Sequence, residues 1–295
     1  MKYNIMEGNN KVIIEGIKDF DPVHIFECGQ CFRWNKEDDN SFTGVAFERV
    51  LNVKSEDDKI ILSNTNLEDF NNIWYNYFDL ERDYGEMKEE LSEDEILKEA
   101  VKFGSGIRIL KQEPFETLIS FIISANNAIP RIKSSIERLS KRYGKYIGEY
   151  NGKDYYAFPT AEALSKVDVE ELKETKIGFR AKYVSSAAKR VYNGEADLND
   201  IKTLDTDEAR EKLMEFQGVG PKVSDCILLF AMEKYDAFPI DVWVKRIMEY
   251  FYLKEDTSMK KIQRYGEEKF KDLAGFAQQY LFYYARELGI GKKKK

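Results

Sequence analysis

Histidine, cysteine and long apolar runs are scarce in this 295-residue chain. It holds one histidine (His24) and three cysteines (Cys28, Cys31 and Cys226). A histidine-rich metal centre is therefore excluded, a histidine-based catalytic triad is disfavoured, and three cysteines are too few for a four-cysteine zinc or iron–sulfur site. Chemistry in this protein must rest mainly on Lys, Asp, Glu, Tyr or Cys side chains, and nothing in the sequence requires a metal or a cofactor.

The chain also lacks the marks of a membrane or secreted protein. No apolar run approaches the roughly 18 residues that a membrane-spanning helix needs. The opening MKYNIMEGNN does not have the charged-then-apolar pattern of a signal peptide. An odd number of cysteines agrees with a reducing compartment. We therefore expect a cytoplasmic protein without a membrane partner.

The net charge of −7 argues at first against a nucleic-acid partner. Its distribution weakens that objection, because residues 81–95 alone hold eight acids and two bases. Residues 111–150 carry seven bases and four acids. An acidic average can hide a basic face, and it is the local field that steers a charged ligand.

Apolar spacing divides the chain into two parts. Residues 1–105 contain short alternating or apolar runs (KVIIEG, CFRW, SFTGVAF, RVLNV and KIILSN) separated by turn residues, which predicts strands. From about residue 95 onward the spacing is helical. We predict an α+β protein with an N-terminal antiparallel β-sheet domain (1–105) and a larger all-helical domain (106–295) that ends in a frayed lysine tail.

The stretch GVGPKVSDC at residues 218–226 predicts a hairpin turn followed by a helix that begins at proline. Gly218 and Gly220 allow close approach of a partner, and the free N–H groups at the helix start, including that of Val223, suit a phosphate. Lys222 lies where a helix dipole disfavours a cation, so it either holds an anion or acts as a neutral amine. An ordinary helix-packing corner is the third interpretation.

A second chemistry-bearing segment, FPIDVW at residues 238–243, follows the hairpin. The proline favours extended backbone before it, and we expect Asp241 to cap the next helix. A cap and a catalytic carboxylate are compatible roles, because both need an acceptor held at a helix start.

These segments resemble the helix-hairpin-helix superfamily of DNA base-excision glycosylases, and within it the 8-oxoguanine DNA glycosylases. The motifs FRW (32–34), FIISANNAIPRI (121–132), IGFRAKYVS (177–185) and LAGFAQQYLF (273–282) fit the pattern of that family in order. The resemblance implies a TBP-like N-terminal sheet domain, a helix-hairpin-helix at about 210–232 and a catalytic aspartate segment at 238–246.

The resemblance also implies a base-excision reaction on double-stranded DNA that contains 8-oxoguanine. Lys222 would attack the anomeric carbon of the sugar, displace the base and form a Schiff base that permits β-elimination. Asp241 would support the developing positive charge. A nucleophilic amine must be neutral, which fits a lysine at a positive helix terminus, although a phosphate grip by Lys222 stays open.

Further roles follow by position in the family pattern. Damaged bases are flipped out of the helix at a cost of a few kcal/mol. The resemblance assigns recognition of the flipped base to the Gly29 carbonyl, Cys226, Gln278 and Phe282. It assigns filling of the vacated space and contact with the orphaned cytosine to Asn126, Arg131, Phe179 and Arg180, and contact with the DNA backbone to Gly218, Gly220, Val223 and Trp243.

Three positions depart from the eukaryotic pattern. Phe179 stands where eukaryotic members have tyrosine, Trp243 where they have histidine, and Ala285 where they have aspartate. Since the histidine and the aspartate interact in those members, their joint loss looks like one exchanged contact. We expect Trp243 to pack near the DNA backbone, with its indole N–H replacing the histidine donor. The family also implies a monomer, associated with the nucleoid if the organism is prokaryotic.

Other functions fit the sequence less well. The CxxC of Cys28 and Cys31 raises a redox role, but it precedes FRW in a β-rich region instead of opening a helix after a strand. A non-catalytic DNA-binding module would have no use for Lys222 and Asp241 together. Sister glycosylases for alkylated bases generally lack the hairpin lysine, and cluster-bearing glycosylases need C-terminal cysteines that this chain lacks.

Overall fold

The structure, a computed structural model, describes residues 3–290. The lysine tail at residues 292–295, predicted to fray, lies outside the described residues. Within residues 3–290, no helix has both the length and the apolarity to cross a membrane.

An antiparallel sheet of six strands forms the N-terminal part. Its spatial order is β1-β2-β6-β5-β4-β3. In β2 and β6 buried side chains alternate with partly exposed ones, and the buried ones pair across the strands, Val12 with Leu62 and Ile14 with Ile60, which is typical of strands with one face on a core. The strands are β1 (Asn4–Gly8), β2 (Lys11–Glu15), β3 (Trp34–Lys36), β4 (Phe42–Ala46), β5 (Arg49–Glu56) and β6 (Lys59–Ser63).

Short helices lie between and after these strands and connect the sheet to the rest of the molecule. Phe26 on the first of them stacks on Trp34 with ring centroids 4.1 Å apart, in the core under the sheet. They are α1 (Pro22–Glu27), α2 (Leu67–Asp69) and α3 (Tyr75–Tyr77), the last two joined by a π-helical turn (Phe70–Trp74), followed by α4 (Tyr84–Leu91) and α5 (Glu95–Phe103).

The larger part is a bundle of helices around a second apolar core. Its helices are α6 (Pro114–Ser124), α7 (Ile129–Tyr143), α8 (Ala161–Ser165), α9 (Val169–Leu172), α10 (Ala181–Tyr192), α11 (Leu198–Thr203), α12 (Thr206–Met214), α13 (Pro221–Ala231), α14 (Val242–Ile247), α15 (Met259–Phe270) and α16 (Ala274–Leu288). Single π or 3₁₀ turns occupy Lys173–Ile177, Gly178–Arg180, Met248–Leu253 and Lys271–Leu273.

The α+β class is confirmed, with three local differences. Of the run CFRW only Trp34 lies in a strand, and β1 was not predicted. The acidic stretch contains helix α4, because Asp83 caps it and Tyr84, Met87 and Leu91 form a buried stripe. A hairpin of β7 (Tyr146–Tyr150) and β8 (Lys153–Tyr156) interrupts the domain predicted to be all-helical.

The two cores do not separate cleanly along the chain. Leu97 and Ala100 on α5 belong to the core of the helical part, as does Cys28. Leu110 belongs to the core under the sheet. The domain division at residues 105 and 106 therefore stays a prediction.

Candidate active site

The predicted hairpin joins α12 to α13 through Gly218, Val219 and Gly220. Gly218 has a φ of +87°, and a Cβ there would lie 2.7 Å from Cδ2 of Tyr183, so this position requires glycine. Gly220 caps α13, and a Cβ on it would meet open space. The Val223 side chain is buried in the core, while its N–H lies in the first helical turn, where donors have no intrahelical acceptor. The N–H groups at the start of α13 are thus the backbone donors that the hairpin offers to a ligand.

Lys222 lies half-buried in the first turn of α13. Its Nζ is 5.2 Å from the centroid of the Phe121 ring, and it also contacts the Cys226 thiol one turn later. Burial raises the pKa of that thiol to about 11, against the lowering effect of the Lys222 amine. Cys226 therefore lines the site next to the lysine as an uncharged thiol.

Asp241 caps α14, as predicted. Its Oδ1 accepts hydrogen bonds from the N–H groups of Trp243 at 2.8 Å and Val244 at 2.9 Å. No donor in residues 3–290 bonds Oδ2. The carboxylate lies close enough to Cys226 to raise the pKa of its thiol. Lys222, Cys226 and Asp241 thus converge where α13 and α14 both begin.

The predicted base-recognition residues on the sheet side and on α16 also meet. Gly29 follows α1 with a φ of +84°, and a Cβ on it would lie 3.1 Å from Cε1 of Phe282. Gln278, one turn before Phe282, is 5% exposed, and its buried Oε1 has no hydrogen-bond partner. Buried polar atoms are nearly always paired, so this amide is placed for a partner that the protein itself does not supply.

The carbonyls around Gly29 are held by side chains. Gln279 donates to the Cys28 carbonyl at 2.7 Å, and Gln112 donates to the Gln30 carbonyl at 2.8 Å. Among residues 3–290, no donor bonds the Gly29 carbonyl. This leaves it as an open acceptor beside the Phe282 ring.

A third group lies on the turn before α7 and the turn before α10. Arg180 donates to the Asn126 carbonyl at 2.9 Å and, through Nε, to the Ala125 carbonyl at 2.9 Å. Its guanidinium lies 4.5 Å from the centroid of the Phe179 ring. Phe179 is 57% exposed, and its ring packs edge-on against that of Tyr183 with centroids 6.2 Å apart. Arg131, in the first turn of α7, is exposed.

The two exchanged positions behave differently. Trp243 is half-buried in the first turn of α14, and the Arg246 guanidinium lies 5.1 Å from its ring. Ala285 is fully buried on α16. The predicted role of the indole N–H at the DNA backbone stays a prediction.

The CxxC residues do not form a reactive pair. Cys28 and Cys31 are both buried free thiols. Burial raises the pKa of Cys28 to about 11 and that of Cys31 further above its ordinary value. Thiolates are the reactive and metal-binding form, and no group of three or more His, Cys, Asp or Glu side chains in residues 3–290 could hold a metal. A redox role for this motif is disfavoured.

The sequence reasoning missed two residues that shape the site. Phe121 on α6 contacts Lys222, and its ring packs edge-on against Phe32 at 5.4 Å, near Gly29 in the chain. Gln279 fixes the Cys28 carbonyl. Phe121 lies in an apolar helix and carries no local signal of its own, whereas Gln279 is next to the assigned Gln278 in an apolar stretch of α16.

Comparison with known proteins identifies the family. Residues 12–118 match the 8-oxoguanine DNA glycosylase, N-terminal domain, and residues 119–294 match the HhH-GPD superfamily base excision DNA repair protein. The chain belongs to the HhH-GPD superfamily. The match of the N-terminal part confirms the resemblance to 8-oxoguanine DNA glycosylases, and the second match confirms the superfamily.

Individual relatives agree with this membership. A probable N-glycosylase/DNA lyase of Methanothermobacter thermautotrophicus is 33% identical over 67% of this HhH-GPD protein and 69% of the relative. The structure of the Clostridium acetobutylicum 8-oxoguanine glycosylase/lyase was solved with double-stranded DNA containing cytosine opposite 8-oxoguanine. That protein is 51% identical to this chain, with a TM-score of 0.96, and the match covers 98% of this chain and 100% of that one. The 3-methyladenine DNA glycosylase of Archaeoglobus fulgidus shares the fold. It is 23% identical, with a TM-score of 0.76, and the match covers 94% of this chain and 98% of that one.

Proposed function

We propose that this protein excises 8-oxoguanine from double-stranded DNA and cleaves the strand at the resulting abasic site, with Lys222 as nucleophile and Asp241 as its electrostatic partner. The observation that carries the mechanism is the convergence of Lys222, Cys226 and Asp241 at the start of two helices. The membership of both parts of the chain and the Clostridium structure support the substrate.

The first chemical step is attack of the Lys222 amine on C1′ of the damaged nucleotide. The bond from C1′ to the base breaks and the base leaves with the electron pair. A nucleophilic lysine must react as the free amine, and the N-terminus of α13 disfavours a positive charge there. The Asp241 carboxylate, with Oδ1 fixed by two N–H groups, presents negative charge to the oxocarbenium-like transition state.

The second step opens the sugar ring and gives a protonated Schiff base between Nζ of Lys222 and C1′. Loss of a proton from C2′ then expels the 3′ phosphate by β-elimination, and hydrolysis returns the free lysine. A DNA-binding module without chemistry would not need these two residues together.

Recognition of the flipped base is assigned to the open acceptors beside Phe282. Guanine has an acceptor at N7, whereas 8-oxoguanine has an N–H there, so a backbone carbonyl at Gly29 distinguishes the two. The unpartnered Oε1 of Gln278 would accept from the opposite edge of the base, and Phe282 and Cys226 would cover its two faces.

Phe179, exposed and stacked on Arg180, would fill the space that the base vacates. Asn126 and Arg131 complete the contacts with the orphaned cytosine.

Contact with the DNA backbone is assigned to the hairpin donors around Gly218, Gly220 and Val223, together with Trp243. A monomeric state and a cytoplasmic location, nucleoid-associated in a prokaryote, are part of the proposal, and no partner other than DNA is required. Light scattering of the purified chain tests the monomer.

Borohydride trapping tests the reaction. A duplex with 8-oxoguanine opposite cytosine should give a covalent adduct with the wild-type protein, and an undamaged duplex should not. Lys222→Gln should give no adduct, and Asp241→Asn should slow adduct formation by about 100-fold or more. Lys166→Gln, at an exposed lysine paired with Glu162, is the matched control and should react as wild type. Base release by both wild type and Lys222→Gln without an adduct would contradict the covalent mechanism.

A further inference from the structure

Arg286 lies on the face of α16 that carries the base-recognition residues. It follows Phe282 by four residues and Gln278 by eight, so the three side chains lie in one row along the helix. The family pattern assigned no role to this position, and the hairpin chemistry does not use it.

The Arg286 guanidinium connects three parts of the pocket. One amino group, Nη2, donates to the Glu27 carbonyl at the end of α1. The guanidinium carbon lies 5.2 Å from the centroid of the Phe282 ring. The other amino group, Nη1, would be 3.5 Å from a Cβ on Gly29. A single side chain thus touches the aromatic ring, the glycine and the backbone that leads into the glycine.

One further side chain, Glu287, restrains the guanidinium. Glu287 accepts from Nε at 2.9 Å and lies 2.7 Å from Nη2. Nη1 is buried and has no hydrogen-bond partner. A buried, unpartnered cationic donor costs free energy in the resting protein. Here the space next to Nη1 is occupied by Gly29 and Phe282.

We propose that Arg286 is a positioning residue for base recognition: it fixes the Gly29 carbonyl and the Phe282 ring relative to each other. Discrimination between 8-oxoguanine and guanine depends on one N–H, so the acceptor must be held to within about 0.5 Å. Arg286 holds one end of the segment by the Glu27 carbonyl, and Gln279 holds the next carbonyl, that of Cys28. The planar guanidinium also sets how far Phe282 lies from that segment.

This inference rests on the proposed function, and its test separates the two. A duplex that already contains an abasic site needs the Lys222 chemistry but presents no base to recognise. A duplex with 8-oxoguanine requires both the Lys222 chemistry and recognition of the base. Arg286→Met keeps an apolar side chain of similar length and removes the charge and the donors. It should lower single-turnover excision of 8-oxoguanine by about 10- to 100-fold, while cleavage at the abasic site should stay within about 2-fold of wild type.

Arg286→Lys provides the conservative variant. It keeps a cation that can reach the Glu27 carbonyl but not the planar contact with Phe282, so its excision rate should fall between those of wild type and Arg286→Met. Arg264→Met, at an 81%-exposed arginine paired with Glu268, is the matched control and should leave both rates unchanged.

The outcomes distinguish the two hypotheses. Equal loss of both rates in Arg286→Met, or no loss of either, would overturn the positioning role. If Arg286→Met does not fold, the ratio of the two rates in Arg286→Lys decides in the same way. A wild-type protein that cleaves the abasic duplex but never excises 8-oxoguanine would instead overturn the proposed function, since the lysine would then be active without this substrate.

Discussion

At the scale of single residues, Gly29 is the position where backbone geometry and recognition coincide. Its φ of +84° is costly for any residue with a Cβ, and that Cβ would press on the Phe282 ring at 3.1 Å. Gly29→Ala should therefore cost about 1–2 kcal/mol of stability from the backbone and also displace either the ring or the carbonyl. We expect excision of 8-oxoguanine to fall by at least about 10-fold, with abasic-site cleavage retained.

Gly16→Ala is the matched control for that prediction. Gly16 has a φ of +73°, and a Cβ there would meet nothing within 4 Å. It bears the same type of strain without a clash and lies outside the site. Thermal unfolding and single-turnover rates of the two variants separate the backbone strain, which both share, from the contact of the added Cβ with Phe282, which only Gly29→Ala has. Equal excision rates in Gly29→Ala and wild type would argue against the Gly29 carbonyl as the discriminating acceptor.

Glu116, at the start of α6, is half-buried, with its side chain 19% exposed. Burial raises the pKa of its carboxyl from an ordinary 4.5 to about 7, although Nη1 of Arg33 lies 4.0 Å away. Because the folded-state pKa exceeds the unfolded value, Glu116 favours folding below pH 4.5, and this contribution is lost as pH rises through 7. Glu116→Gln should thus stabilise the protein at pH 8 by on the order of 3 kcal/mol and have little effect at pH 4.5.

Denaturant unfolding at the two pH values checks the Glu116 prediction. Glu170→Gln, at an exposed acid paired with Lys173, should have little effect at either pH. A stability gain for Glu116→Gln of the same size at both pH values would show that ionisation of this carboxyl is not the cause.

At the scale of elements, a buried ion cluster holds helix α13, which carries Lys222, against α12 and α15. Arg210 on α12 donates through Nε to Asp225 at 2.7 Å and through Nη2 to Glu267 at 2.8 Å. Gln263 on α15 donates to the other Asp225 oxygen at 2.9 Å. Asp225 lies between Lys222 and Cys226 and is 1% exposed. The orientation of α13, and hence of the Lys222 amine, depends on this cluster.

Replacing Arg210 alone should lower the free energy of unfolding more than replacing both Arg210 and Asp225. Arg210→Met leaves the buried Asp225 carboxylate without its cation and should cost about 3–5 kcal/mol at pH 8. Burial raises the pKa of Asp225 to about 6, so the cost should be smaller at pH 5, where the carboxyl can be protonated. Adding Asp225→Asn to Arg210→Met should recover part of the loss at pH 8. Chemical denaturation of the three variants provides the measurement, and a double variant as unstable as Arg210→Met would contradict this account.

Elements with local signals were predictable from the sequence, and those that depend on distant contacts were not. The Asp241 cap and the turn before α13 follow from a few adjacent residues. The hairpin of β7 and β8 also had a signal, since Asn151 and Gly152 both adopt positive φ in its turn, but the surrounding helical pattern obscured it. The contacts of Phe121 with Lys222 and of Arg286 with the Glu27 carbonyl join elements far apart in the chain, and no spacing rule indicates them.

At the scale of the whole molecule, Arg108 connects the sheet part to the helical part. Its side chain is 1% exposed and donates to the carbonyls of Asp19 and Asp79, both at 2.8 Å. The guanidinium lies 4.4 Å from the centroid of the Tyr84 ring. Tyr84 belongs to the core of the helical part, whereas Phe20, next to Asp19, belongs to the core under the sheet.

We therefore expect the two cores to unfold together. Calorimetry of the full chain should show one transition, although the chain is large enough for two domains. Arg108→Met leaves buried carbonyls unpaired, at a cost of about 1–3 kcal/mol for each, and should lower the melting temperature of that single transition by several degrees. Arg49→Met, at an exposed arginine paired with Asp69, should shift it little. Two resolved transitions in the wild type, with Arg108→Met moving only one of them, would instead support independent domains divided near residue 105.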